Sequence, residues 1–155
     1  MSIEARLTEL GIILPDVAAP VAAYQPAVRS GRHVYTAGQL PFVDGALAVT
    51  GKVGAGDGLV DPEQAAALAR TCALNALAAV RSVAGSLDGV RIVKVTGFVA
   101  SDPSFTGQPG VLNGASTVLG EIFGDAGTHA RSAVGVAVLP LDAPVEVELV
   151  AELPA

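Results

Sequence analysis

Apolar positions recur along this chain at two different spacings, and the switches between them predict the order of its elements. Ile3, Leu7 and Leu10 share one side at spacings of four and three, which predicts a short helix over residues 3–10. Pro15 and Pro20 then interrupt the chain. From Ala27 to Gln39 the text AVRSGRHVYTAGQ predicts two short strands around a turn at Ser30-Gly31, with β-prone Val34, Tyr35 and Thr36 in the second. The Gly-rich stretch 41–58 predicts hairpin or loop rather than a domain boundary. Asp61-Pro62-Glu63-Gln64 has the form of a helix start: Asp caps, Pro takes the first helical position, and Gln three after the cap completes a capping box. The helix should run to about Val83 with Ala65, Leu68, Ala69, Cys72, Ala76, Ala79 and Val83 inward, Arg70 and Arg81 away from that stripe, and Gly85 as the stop.

Arg91 to Val99 is dense in β-branched residues and apolar on both sides, which predicts a strand in the centre of a sheet. A second helix is predicted from Pro109 to Phe123, with Leu112, Ala115, Leu119 and Ile122 on one side, although its glycines work against it. Ser132 to Leu139 and Val145 to Leu153 predict two closing strands joined by a Pro-Leu-Asp-Ala-Pro turn. Hairpin, helix, strand, helix and two strands together predict a two-layer α+β domain, with a mixed sheet carrying two helices on one face. The other face then needs cover, and neighbouring copies of the chain are the simplest source.

Composition narrows this picture. A chain of 155 residues supports one substantial core, and 51% hydrophobic against 15% charged residues excludes a disordered solvating chain. Trp is absent and aromatics are 4%, so the layers should pack closely through Ala and Val. A net charge of -6 without any basic run opposes nucleic-acid binding. The lone cysteine and a start that lacks the basic-then-apolar pattern of a secretory signal point to a reducing, cytoplasmic setting. Gly, Pro or charge interrupts every apolar stretch before the roughly 20 residues a bilayer span requires.

Phosphate-binding loops, dinucleotide fingerprints, HExxH and paired CxxC are all missing. Two histidines and one cysteine argue against a metal site, His33 is an ordinary strand residue, and Cys72 on an inward stripe is a core thiol. No cofactor is called for. What remains is polar groups set in apolar strands. Arg131 begins a strand, where a guanidinium can grip a carboxylate through two parallel hydrogen bonds or simply cap the strand at the surface. Glu146 and Glu148 are two apart and share a sheet face, where burial could raise a carboxylate pKa for proton transfer; solvated alternating charge is the plainer account, and the one that suits Glu148. Tyr24, before the hairpin, signals nothing by itself.

Together, Ala23-Tyr24 with Val28, VYTAGQLP at 34–41, the helical QAAALARTCALNALAAV, the strand RIVKVTGFVA, Leu112-Asn113 and the closing ARSAVGVAVLPLDAPVEVEL resemble the Rid/YjgF family. AGQLP and ARSAV…LP…VEVEL are the most specific pieces. The resemblance covers about residues 20 to 153, leaving residues 1–19 as an amino-terminal extension ahead of a domain over 20–155. It implies the chorismate-mutase-like/YjgF-like fold, with three sheets enclosing a central trimeric barrel and clefts between adjacent subunits. It further implies that Arg131 binds a substrate carboxylate, Tyr24 lines the pocket, Glu146 positions or activates water, backbone near Gly38 adds hydrogen bonds, and the Asn113 amide contacts a loop at the site. Ala37 stands where the family usually has serine, Ala133 where it often has cysteine, and His129 where it commonly has proline, so substrate choice does not carry over.

The activity implied is hydrolytic deamination of reactive imino or enamine acids to 2-oxo acids and ammonia. Such a substrate already has an electrophilic carbon, so a fixed carboxylate, a placed water and a proton route suffice. The alternatives are a non-catalytic trimer that binds a carboxylate metabolite, favoured less by the pairing of Glu146 with Arg131, and an endoribonuclease, opposed by the acidic charge.

Overall fold

The computed structural model of the protein describes residues 1–17 and 23–155, so Pro20 and the boundary expected between residues 19 and 20 lie outside the described residues. The first element is helix α1, Ile3–Glu9, whose Leu7 lies in the main core together with Ile12 and Leu14 of the segment after it. Two short strands, β1 (Ala27–Ser30) and β2 (His33–Thr36), form a hairpin with Ser30 opposite His33. Its turn is therefore Gly31-Arg32, one residue later than Ser30-Gly31, because Gly31 takes the left-handed φ of 61°. Residues 41–58 are irregular, with isolated bridges only.

Helix α2 (Pro62–Ala84) starts where the text predicts. The Asp61 carboxylate accepts the backbone N–H groups of Glu63 (2.8 Å) and Gln64 (3.3 Å), and Gly85 closes the far end at φ 80°. Its buried surface is wider than one stripe: Ala73, Leu77, Ala78 and Val80 are buried too, while Leu68 and Val83 are only half-buried. The cause is α3 (Gln108–Phe123), which lies beside α2 on the same face of the sheet and covers a second side of it. The two helices approach so closely that a Cβ at Gly114 would run into the backbone carbonyl of Ala66.

The remaining strands are β3 (Arg91–Ala100), β4 (Ala130–Val136) and β5 (Val145–Glu152), and the sheet order is β1-β2-β5-β3-β4. All neighbours are antiparallel except β3 and β4, which are parallel and joined through α3. The fold is the mixed α+β sheet with helices on one face that the element order predicts. Two details differ. The last strands are joined in sequence but not in space, because β5 inserts between β2 and β3 while β4 forms an edge. Strand β4 ends at Val136 rather than Leu139, since its partner β3 ends at Ala100, opposite Val136.

On the helix side, Val145, Val147, Leu149 and Ala151 of β5 and Ile92, Val95 and Val99 of β3 are buried. On the other side Lys94, Thr96, Phe98, Glu146 and Glu148 are half-buried and Val134 is exposed; no helix covers this face among the described residues. Nor is any described helix long and apolar enough to cross a membrane.

The helix contact yields a test with opposite signs on one helix. Gly114→Ala should lose about 1–3 kcal/mol, because a backbone oxygen cannot swing away from the added methyl. Gly120→Ala meets nothing within 4 Å and should be neutral or gain up to about 1 kcal/mol from helix propensity. Urea midpoints at one protein concentration compare them.

Candidate functional site

Arg131 sits near the start of the edge strand β4, opposite Val95, and so shares the helix side of the sheet. Its Nη1 donates to Asn113 Oδ1 at 2.9 Å and to Ser116 Oγ at 3.2 Å. Those residues are three apart on α3 and therefore project from one side of it. The helix can bring them to β4 because Gly97 lacks a side chain: a Cβ there would overlap Leu112, the residue that presses α3 onto β3. Ala133, opposite Gly97, is half-buried against the core beside Arg131.

His129 extends the cluster. Its Nε2 lies 2.9 Å from Ser116 Oγ and its Nδ1 2.6 Å from the carbonyl of Gly127. Among the described residues no carboxylate pairs with Arg131, and neither its Nε nor its Nη2 has a hydrogen-bond partner. The guanidinium is thus held at one corner by neutral oxygens with the rest of its fork free.

Glu146 faces the other way. It pairs with Phe98 on the bare side of the sheet, next to Glu148. Segment 37–39 is drawn over it by two backbone hydrogen bonds between Gln39 and Val147, at 2.8 and 3.0 Å, while the Ala37 N–H donates to the Pro26 carbonyl. Gly38 then packs directly on the carboxylate, so closely that any Cβ at 38 would collide with it. Burial first, and the Glu148 charge second, raise the Glu146 pKa from the ordinary carboxylate value. Glu148 itself borders a shallow depression of about 160 Å³ with Tyr35, Thr36, Lys94 and Thr96. Tyr24 is exposed in the loop before β1.

Cys72 is fully buried, and burial, followed by the Glu146 charge, pushes its thiol well above the ordinary value. His33 lies in β2 with its ring 6.4 Å from that of Tyr35, and no cluster of three potential metal ligands occurs among the described residues.

The candidates therefore form two groups. Arg131, Asn113, Ala133, Ser116 and His129 belong to the β4 edge, whereas Glu146, Gly38 and Ala37 belong to the opposite side of the sheet, toward the β1 edge where Tyr24 also lies. Within one chain Arg131 and Glu146 stand on opposite faces, two strands and three residues apart, or roughly 14 Å even before the sheet between them is considered. One small molecule cannot touch both in a single chain. Ser116, and the part His129 plays, were not read from the sequence. The only signals were the spacing of Ser116 three after Asn113 on a helix and of His129 two before Arg131 on the approach to a strand.

Comparison with known proteins gives this geometry its setting. Residues 4–153 match the family described as "YjgF/chorismate_mutase-like, putative endoribonuclease". The chain belongs to the YjgF family. It is 44% identical over 153 residues to Protein TCP17 of Trypanosoma cruzi, covering 97% of this chain and 94% of that one. Among solved structures, Atu1372 of Agrobacterium tumefaciens, described as a protein with unknown function, is 44% identical with a TM-score of 0.88, covering 98% and 92% of the two chains. A "putative endoribonuclease" from Shewanella oneidensis MR-1 is 36% identical with a TM-score of 0.91, covering 99% and 100%. The YjgF match reaches back into α1, so the amino-terminal helix falls within the family's span.

The raised Glu146 pKa makes a signed prediction. The fold favours the neutral acid, so the contribution of this group to stability is present below the ordinary carboxylate pKa and lost as pH rises through the higher folded value. Glu146→Gln, neutral at every pH, should therefore melt higher than the natural protein at about pH 8, with the difference closing toward about pH 4. Melting curves at fixed protein concentration and both pH values check this.

Proposed function

We propose that the protein hydrolyses 2-imino acids, and enamine acids that tautomerise to them, at sites formed between copies of the chain in a homotrimer. The observation that carries this reading is Arg131: a guanidinium tethered by Asn113 and Ser116, with no carboxylate partner among the described residues and its Nε and Nη2 free. Such a group suits a ligand carboxylate, gripped through two parallel hydrogen bonds.

Glu146 supplies the complementary chemistry. Its raised pKa brings it toward the range in which a carboxylate both takes and returns a proton. As base it accepts a proton from water as the water oxygen bonds to the imine carbon, and the imine nitrogen gains a proton to give a carbinolamine. The carbinolamine hydroxyl then gives its proton to the nitrogen by way of Glu146, the C=O bond forms as the C–N bond breaks, and ammonia leaves the 2-oxo acid. An enamine first takes a proton on its terminal carbon and gives one up from its nitrogen, which yields the imine. Water is the only co-reactant.

Both groups reach one substrate if the β4 edge of one copy meets the opposite sheet side of the next. A head-to-tail contact of this kind closes into a ring of three when each copy is turned by a third of a circle from the last, and three copies would also cover the bare face of the sheet. The ribonuclease activity in the relatives' names finds little support on that face, where Glu146 and Glu148 stand side by side and would repel phosphates.

The test is to generate 2-aminoacrylate in situ with a dehydratase and follow oxo-acid formation, while light scattering counts subunits. Turnover by a trimer is expected; a stable monomer, or carboxylate binding without turnover, would refute the catalytic reading. Arg131→Ala and Arg131→Lys should each lose about tenfold or more in kcat/KM while staying folded, since Lys keeps the charge but not the fork. Ala37 and Ala133 leave the proposed pocket more apolar than polar residues would. Imines made from Leu or Met by an amino-acid oxidase should thus be turned over at least as well as that from Ala, and Ala37→Ser should shift the preference toward the smaller one. An unchanged preference for the Ala-derived imine would remove this specificity role.

A further inference from the structure

We propose that His129 is a positioning residue that sets the direction of the Ser116 hydroxyl and so aims the Arg131 guanidinium at its ligand; this rests on the reading of Arg131 as a carboxylate anchor. The polarity of the chain of contacts is decided at its two ends. A backbone carbonyl only accepts, so the Gly127 oxygen, 2.6 Å from Nδ1, requires that ring nitrogen to carry a proton. A guanidinium only donates, so Ser116 Oγ, 3.2 Å from Nη1, accepts from Arg131. In the neutral ring Nε2 is then the acceptor, and it takes the single Ser116 proton across 2.9 Å.

Each member leaves the next one orientation. Gly127 is fixed because it packs on the backbone of Leu119, where a Cβ at 127 would collide with a carbonyl oxygen. With its proton committed to His129, the Ser116 oxygen offers a lone pair to Nη1, as Asn113 Oδ1 does at 2.9 Å. Two neutral acceptors on one nitrogen pin the plane of the guanidinium and leave its Nε and Nη2 edge for a carboxylate. A serine whose proton pointed at Arg131 would instead repel it. Neither oxygen that accepts from Nη1 carries a charge, so the positive charge of the arginine is not spent on the tether.

The ring tautomer is readable in the free protein. Nitrogen-detected NMR should find His129 protonated at Nδ1 and bare at Nε2, and a ring protonated only at Nε2 would overturn the proposal. Affinity for 2-oxobutyrate, a stable carboxylate probe, supplies the functional arm. His129→Phe removes the acceptor and should weaken binding about tenfold; His129→Gln can place an amide oxygen near the position of Nε2 and should restore it to within about twofold. The loss should appear as a raised KM for imine hydrolysis with kcat little changed. Phe and Gln variants that bind alike would sink the positioning role, as would a His129→Phe variant that binds like the natural protein while Arg131→Ala does not bind. If the natural protein fails to bind 2-oxobutyrate, or Arg131→Ala binds it unchanged, the anchor reading falls and this inference with it.

Discussion

Strand β5 lies under α2 and between β2 and β3, and its alternation of apolar and acidic residues decides what each face of the sheet can be. Val145, Val147, Leu149 and Ala151 are buried toward the helix, where each Val or Leu contributes about 1.5–3 kcal/mol by leaving water. With a period of two, that burial forces Glu146, Glu148 and Glu152 onto the opposite face. Shifting the register by one residue would drive three carboxylates into an apolar core, so the register is held far more firmly than hydrogen bonds alone could hold it. The Gln39–Val147 pairing then folds segment 37–39 over the acidic side, and Gly38 reaches the Glu146 carboxylate because it has no side chain. The raised pKa of Glu146 follows from the same strand that anchors the core.

Where a local rule decided the structure, the sequence was informative. Asp61, Pro62 and Gly85 bound α2 because caps act within a few residues, and the inward Cys72 and outward Glu146 follow from simple periodicity. Topology was less legible. The turn after β4 has the composition of a hairpin connection, yet it carries the chain past β3 to the slot beside β2, with Leu141 and Asp142 both at φ 57°. Nothing local distinguishes the two paths. Strand β3 also hides a change of phase: Ile92 and Val95 are both buried although three residues apart, since the register shifts between Ile92 and Lys94. The face on which Arg131 stands could not be read for the same reason. Its residue type suggested an anion site, but only the pairing of β4 with β3 puts it on the helix side, within reach of Asn113 and Ser116.

That placement separates the two halves of the chemistry. The arginine cluster belongs to an edge strand with its neighbour α3, and the glutamate cluster to the bare face on the far side of the central strands. An edge strand with exposed Val134 and a face without helices are both surfaces that a monomer leaves exposed to pairing and association. In the proposed ring, the contacts that hide them are also the contacts that bring a carboxylate anchor to a proton carrier. Assembly and activity would then rise and fall together, because neither half of the site is complete in one copy.

The manner in which Arg131 is held bears on what it can bind. Had α3 presented an aspartate in place of Asn113, a salt bridge would fix the side chain but would also neutralise it, and an incoming carboxylate would compete with a partner already in position. An amide and a hydroxyl accept the same hydrogen bonds without a negative charge. They restrain one nitrogen of the fork and leave the positive charge to act on the ligand, at the cost of a less tightly held cation in the free protein. The hydroxyl is the weak point of such a tether, because it can turn its proton toward the arginine as readily as its lone pair. A neighbouring acceptor is needed to remove that freedom, and His129, locked by the Gly127 carbonyl, is the group within reach of Ser116 Oγ that supplies it.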